Sequence, residues 1–179
     1  VRLMVNDKNL FDFDCNDTWT MFHSYCFDFS VWEMYGPLLY GGRLIMVPKM
    51  TARDTRSFLQ LLKDKQVTVL NQTPAAFYNL AQLEEQSAFE PGKENAGNRH
   101  LNLRYIIFGG EALTPAKLDK WHGMYPDHRL INMYGITETT VHVTFKEIKE
   151  QEIRLNKSNI GGPIPTLSCY VMDSRLNLV

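Results

Sequence analysis

At 179 residues, with 44% hydrophobic and 22% charged side chains, the chain has the make-up of one globular domain with a real core. Its net charge of −1 gives no field to attract nucleic acid or an anionic membrane, and no apolar run approaches the ~20 residues of a membrane span. The N-terminal VRLMVNDKNL lacks a signal-peptide pattern, and Cys15, Cys26 and Cys169 fit neither a disulfide framework nor a CxxC metal site, so a reduced, cytoplasmic setting is expected.

In chain order, Phe27-Asp28-Phe29-Ser30 precedes an amphipathic helix over Val31–Leu39, with Ser30 as its N-cap. Gly42–Val47 is a β-rich run closed by Pro48, and Thr51 to Asp54 has capping-box form. Phe58, Leu61 and Leu62 then share one face of a helix over Ser57–Lys65. Val67–Leu70 is a β-branched strand, and Pro74 opens a helix carrying Phe77, Leu80 and Ala81. Glu90–His100 reads as a polar loop. Leu103–Phe108 is a strand ended by Gly109-Gly110. Thr114-Pro115 caps a helix running to about Met124, and Arg129–Met133 is a further strand. YVMD and LNLV at the end read as a strand pair. Both ends of the chain read as cuts within a longer protein.

Strands alternating with helices predict an α/β fold, a mostly parallel sheet with crossover helices. Ligands in such sheets bind beyond the carboxyl ends of the strands. Attention therefore falls on Asn71-Gln72-Thr73, Gly109-Gly110-Glu111 and Tyr134 to Thr140. In the last of these a Tyr ring can stack on a purine and Gly135 allows close backbone approach. Thr hydroxyls can donate to phosphate, and Glu138 can hold Mg²⁺. A polar turn capped by a threonine satisfies the same spacing, and a tight βα turn satisfies Gly109-Gly110-Glu111. Asp28 sits between two aromatics, which is costly for a carboxylate without a cationic partner; a solvated Asp before a helix is the plain alternative. His23, His100, His122, His128 and His142 lack zinc-ligand spacing. Trp32 and Trp121, at helical positions, are core residues by default.

Taken together and in order, FDFSVWEMYGPLLYGG, GGEAL and NMYGITETT resemble the signature regions of nonribosomal peptide synthetase adenylation domains, over nearly the whole chain. The resemblance implies part of the large N-terminal subdomain of an adenylate-forming enzyme. It implies that Asp28 pairs with the α-ammonium of the substrate amino acid. Tyr134 stacks on adenine, with Asn132 and the strand end Gly109, Gly110 and Glu111 near the base. Thr137 contacts the α-phosphate, Glu138 coordinates Mg²⁺, and His23 lies near the acyl-adenylate and the pantetheine channel. The reaction that the resemblance implies is activation of the amino acid by ATP as aminoacyl-AMP, with the acyl group then taken by the phosphopantetheine thiol of a peptidyl carrier protein. A small helper protein is a further candidate partner.

The family's pocket positions fall on Asp28, Phe29, Trp32, Asn71, Ile107, Gly109, Met133, Val141 and His142, a set that looks like the one associated with threonine. Asn71 and His142 can satisfy a hydroxyl, while Phe29, Ile107, Met133 and Val141 leave room for a methyl. Ile136 departs from the family's usual Pro. Ile can adopt the same negative φ, so a modest loss of rigidity is expected. The family's phosphate loop would precede Val1, and its ribose-binding Asp and catalytic Lys would follow Val179. The chain is therefore expected to be an internal fragment, 1–179, of one adenylation domain, inactive alone. A fatty- or aryl-acid adenylate-forming ligase and a non-catalytic nucleotide-binding or interaction module are the alternatives.

Overall fold

A computed structural model describes residues 3–6, 8–88 and 100–179. Of the expected Glu90–His100 loop, all but His100 lies outside the described residues. The elements in order are β1 (Thr18–Met21), α1 (Phe29–Tyr40), β2 (Arg43–Met46), α2 (Lys49–Arg53), α3 (Thr55–Lys65), β3 (Val69–Gln72) and α4 (Pro74–Ala88). There follow β4 (Tyr105–Phe108), a 3₁₀ turn (Pro115–Leu118), α5 (Asp119–Met124), β5 (Arg129–Asn132), a second 3₁₀ turn (Thr137–Thr139), β6 (Thr144–Ile148), α6 (Glu150–Leu155) and β7 (Gly162–Pro163).

The strands lie in the order β2-β1-β3-β4-β5-β6-β7. The first five are parallel, as the α/β reading requires, and β6 and β7 run antiparallel. The short connection from β5 to β6 holds no crossover helix, so the chain returns antiparallel. From β1 the chain first moves outward to β2, then crosses back to β3 on the other side of β1. This reversal is a topological switch point, and the crevice beyond it is where open α/β sheets bind ligands.

Side chains alternate across the sheet with the period of two that strands impose. Leu70, Ile106, Phe108 and Leu130 join Phe58, Leu62, Phe77 and Trp121 from the helices on one face. Val69, Tyr105, Ile107 and Ile131 join Trp19, Trp32, Phe13 and Phe29 on the other. Each fully buried Leu, Ile or Phe contributes about 1.5–3 kcal/mol over leaving it exposed. Within the first core Lys63 pairs with Glu84 at 2.7 Å, and the Tyr125 hydroxyl donates to Glu84 at 2.6 Å. Among the described residues no helix is long and apolar enough to cross a membrane.

Several local readings change. Ser30 is not the N-cap of α1: it is buried one residue inside the helix, and the cap position is Asp28, whose side chain makes no capping bond. Thr51 lies within α2; Asp54 is the cap of α3, accepting from the Ser57 N–H at 3.0 Å. The third strand runs from Val69 to Gln72 rather than over Val67–Leu70. Gln66 is left-handed at the end of α3, and the Val67 N–H bonds back to the Leu62 carbonyl at 3.1 Å, so Val67 belongs to the turn. Asn71 and Gln72 thus stand inside the strand rather than after it. The terminal strand pair reduces to a single bridge, Met172 to Leu178. Strands β1, β6 and β7 and helices α2 and α6 add to the elements expected from the sequence.

Candidate active site

The carboxyl ends of β1, β3, β4 and β5 converge at the switch point, and each delivers part of one surface. After β1, the chain turns through His23 and reaches Asp28 at the start of α1. After β5, it passes Tyr134 and Gly135 into the 3₁₀ turn that carries Thr137 and Glu138. These two segments touch: the Thr137 hydroxyl donates to the Asp28 carboxylate, Oγ1 to Oδ2, at 2.8 Å. Residues 109 positions apart are joined by that bond.

The chain then folds back on itself. The Tyr134 carbonyl accepts the N–H groups of Val143 and Thr144 at 2.7 and 3.0 Å, so residues 135–142 form a closed turn. Gly135 is required there, because a Cβ would lie 2.1 Å from the Val141 carbonyl oxygen. Thr140 and Val141 both take φ of +69°, a strained setting for β-branched residues. The result brings Val141 and His142 beside Met133 and Phe29.

Two adjoining clefts follow. One, of about 260 Å³, is walled by Asp28, Phe29, Met133, Thr137, Glu138 and His142, with Val141 beside them. The other, of about 290 Å³, is walled by Glu111, Asn132, Tyr134 and Ile160. Gly110, Met133, Gly135 and Ile136 border both. Trp32, Asn71, Ile107 and Gly109 are not on the wall of the first cleft; they form the layer behind it. Trp32 donates through Nε1 to Asn71 Oδ1 at 2.8 Å. A Cβ on Gly109 would lie 2.8 Å from the Phe29 ring, so this glycine sets how deep the ring can sit.

His142 is the unusual wall residue. It is buried, edge-on to Trp32 at 4.9 Å and to Phe29 at 5.2 Å. Burial pushes its pKa down to about 3, so the ring is neutral. Neither ring nitrogen has a hydrogen-bond partner among the described residues, and neither does Asn71 Nδ2. Buried polar atoms left unpaired are costly, and the residue that carries the nitrogen pair borders the first cleft.

His23 is set back from both clefts. Its ring stacks on Phe29 at 4.8 Å and 11°, so it meets the first cleft through that ring. In the second cleft Tyr134 is half exposed, and Asn132 Nδ2 donates to the Asn159 carbonyl at 2.8 Å. Glu111 accepts the Ala75 N–H at the start of α4 at 3.3 Å. Glu138 is exposed at the cleft, a single hard carboxylate that fits Mg²⁺ shared with phosphate oxygens.

Ile136 does not mimic a proline. Its φ is −130°, outside the proline range near −65°, and its N–H donates to Thr139 Oγ1 at 3.2 Å. The turn is braced by a bond that proline could not make. Phe27 and Ile160, also on the walls, escape the sequence reading: Phe27 figures there only as context for Asp28, and Ile160 follows a polar stretch with no local signal.

The family model for AMP-binding enzymes matches residues 1–179. A plipastatin synthase subunit of Bacillus subtilis (strain 168) is 56% identical over 178 residues, 99% of this chain and 7% of that protein. The dimodular nonribosomal peptide synthase of the same organism is 50% identical over 181 residues, again 99% of this chain and 7% of that protein. The chain thus spans a small part of the curated relatives it matches. A solved holo nonribosomal peptide synthetase protein, containing adenylation and PCP domains bound to a vinylsulfonamide inhibitor, superposes with a TM-score of 0.83. Its identity is 20%, over 99% of this chain and 28% of that one, and the likeness is one of fold.

Proposed function

From the premise that the chain belongs to the AMP-binding enzyme family, we propose that it is an internal part of one amino-acid adenylation domain of a nonribosomal peptide synthetase, with threonine as its substrate. The observation that carries this reading is the 2.8 Å bond between Thr137 and Asp28, which sets a hydroxyl suited to phosphate beside a carboxylate suited to an ammonium group. In this reading the amino acid enters the first cleft and ATP lies along the second, and Met133 to Ile136 face both.

Asp28 takes the substrate's α-ammonium, an ion pair that its part-buried setting favours. His142 and, behind it, Asn71 meet the threonine hydroxyl, while Phe29, Met133 and Val141 enclose its methyl. Tyr134 offers its ring to adenine, beside Asn132 and the Gly109 to Glu111 strand end. Thr137 presents one hydroxyl proton, which either Asp28 or the α-phosphate can accept. Glu138 would hold Mg²⁺, which neutralises phosphate charge when bound. The amino acid carboxylate oxygen attacks the α-phosphorus and pyrophosphate leaves, giving aminoacyl-AMP. The phosphopantetheine thiol of a peptidyl carrier protein then takes the acyl group and AMP departs. The setting proposed is cytoplasmic.

The test is amino-acid-dependent ATP–pyrophosphate exchange by the complete adenylation domain across an amino acid panel. Threonine is expected to lead. Serine should follow within about 10–200-fold, since a lost methyl is worth ~1–3 kcal/mol. Asp28→Ala should abolish exchange. Preference for a bulky or acidic amino acid would refute the pocket reading. Exchange by the 179-residue chain alone would refute the fragment reading.

A further inference from the structure

Glu33 lies on α1 and is fully buried, with 0% of its side chain exposed. The proposed reaction has no use for this acid. Its Oε2 accepts the backbone N–H groups of Phe22 and His23 at 3.1 and 3.0 Å. Its Oε1 lies 2.9 Å from His23 Nδ1. Burial raises its pKa, and these three contacts oppose that shift. An isolated buried acid would be expensive; one meeting two backbone donors and a ring nitrogen is an anchor.

What it anchors is the way into the cleft. Phe22 and His23 are the residues at which the chain leaves β1 for the site. The His23 ring is stacked on Phe29, and Phe29 is a wall of the first cleft. Phe29 is held on its other sides by the Gly109 backbone and the edge of His142. A histidine ring spinning about its Cβ–Cγ bond would lose the stack; the Nδ1 contact prevents that.

We infer that Glu33 is a positioning residue for amino acid selection: it fixes the tautomer and plane of His23, and through that ring the Phe29 wall of the substrate cleft. The inference rests on the reading of that cleft as the amino acid site. An ionised Glu33 can only accept at Oε1, so a neutral His23 donates to it from Nδ1–H and keeps the lone pair on Nε2.

The test uses the complete adenylation domain, histidine labelled with ¹⁵N, together with the amino acid that the exchange panel finds activated. Wild-type His23 should show the Nδ1–H tautomer. Glu33→Gln should shift it toward Nε2–H and raise the KM for the amino acid about 10-fold, with the KM for ATP within about 2-fold. The Nε2–H tautomer in the wild type would overturn the inference whether or not the variant folds. So would a variant whose two KM values are unchanged or rise together, since a merely structural acid gives that result. Activation of an amino acid other than threonine would refute the threonine reading and leave this comparison intact.

Discussion

His142→Leu, made in the complete adenylation domain, should stabilise the protein while removing its choice of substrate. The neutral imidazole buries one donor and one acceptor, and neither has a partner among the described residues. Each unpaired buried group costs about 1–3 kcal/mol, so the pair costs roughly 4. Leucine is close in size and carries no polar atom. Against the gain stand two losses: the edge contacts with Trp32 and Phe29, about 1 kcal/mol, and an imperfect fit, about 1 more. The net expectation is a gain of about 2 kcal/mol in urea unfolding. The functional arm compares threonine with valine, its near-isostere without the hydroxyl. A site built to bond a hydroxyl rejects the analogue by as much as about 10⁴-fold, and the variant should reject it by about 10-fold or less. The reasoning fails if the variant is less stable and still prefers threonine. That result would mean the nitrogens are satisfied within the folded protein and do not read the substrate.

Acid should weaken the fold through the same group. His142 and His128 are pushed by burial down to about 3 and about 4, from the ordinary value near 6.5. The unfolded chain takes up their protons below about pH 6.5 while the folded one does not, so stability falls as pH falls, by ~1.4 kcal/mol per unit for each group. His128→Phe should reduce that slope between pH 6 and 4.5 (about the range where only the unfolded form titrates), measured as the difference in urea stability from wild type; an unchanged slope would place the burial elsewhere. Thr137→Val should uncouple the two substrates. In the wild type an amino acid ammonium at Asp28 loosens the Asp28 hold on the Thr137 proton and should tighten a non-hydrolysable ATP analogue by about 5-fold or more; calorimetry on the variant should show the analogue binding alike with and without amino acid. Gly135→Ala puts a methyl 2.1 Å from the Val141 carbonyl, so it should cost about 1–3 kcal/mol in unfolding and most of the exchange rate. Wild-type exchange by that variant would mean the turn is not closed in solution.

How much of this the sequence discloses depends on where each residue's partner lies. Leu103–Phe108 is legible because its run of apolar, strand-favouring residues needs no partner to be seen. β1 is not: Thr18–Met21 holds two threonines and no apolar run, and Asp17 before it is buried against Arg104, 87 positions away, at 2.8 Å. The bounds of β3 slip because Asn71 and Gln72 are poor strand formers, and only burial at the centre of the sheet keeps them in the strand. The motifs place Asp28, Thr137 and Glu138 at strand ends, but the bond between Asp28 and Thr137 is a property of the switch point.

The turn after β5 shows why local pattern stops short of the site. Two successive β-branched residues at positive φ contradict local preference, so no propensity argument would put a turn at Thr140 and Val141. The conformation is over-determined from outside: the Tyr134 carbonyl holds Val143 and Thr144, β6 pairs with β5, and the bare Gly135 lets the backbone close. Relaxing Val141 to ordinary φ would swing His142 away from Trp32 and Phe29. The strain, of order 1–3 kcal/mol per residue, is thus the local cost of presenting a buried, neutral imidazole to the first cleft. NMYGITETT is therefore half of a device. In the proposed reading its polar residues meet the phosphates, and the strained pair just beyond Thr139 carries the chain back to place Val141 and His142 on the first cleft.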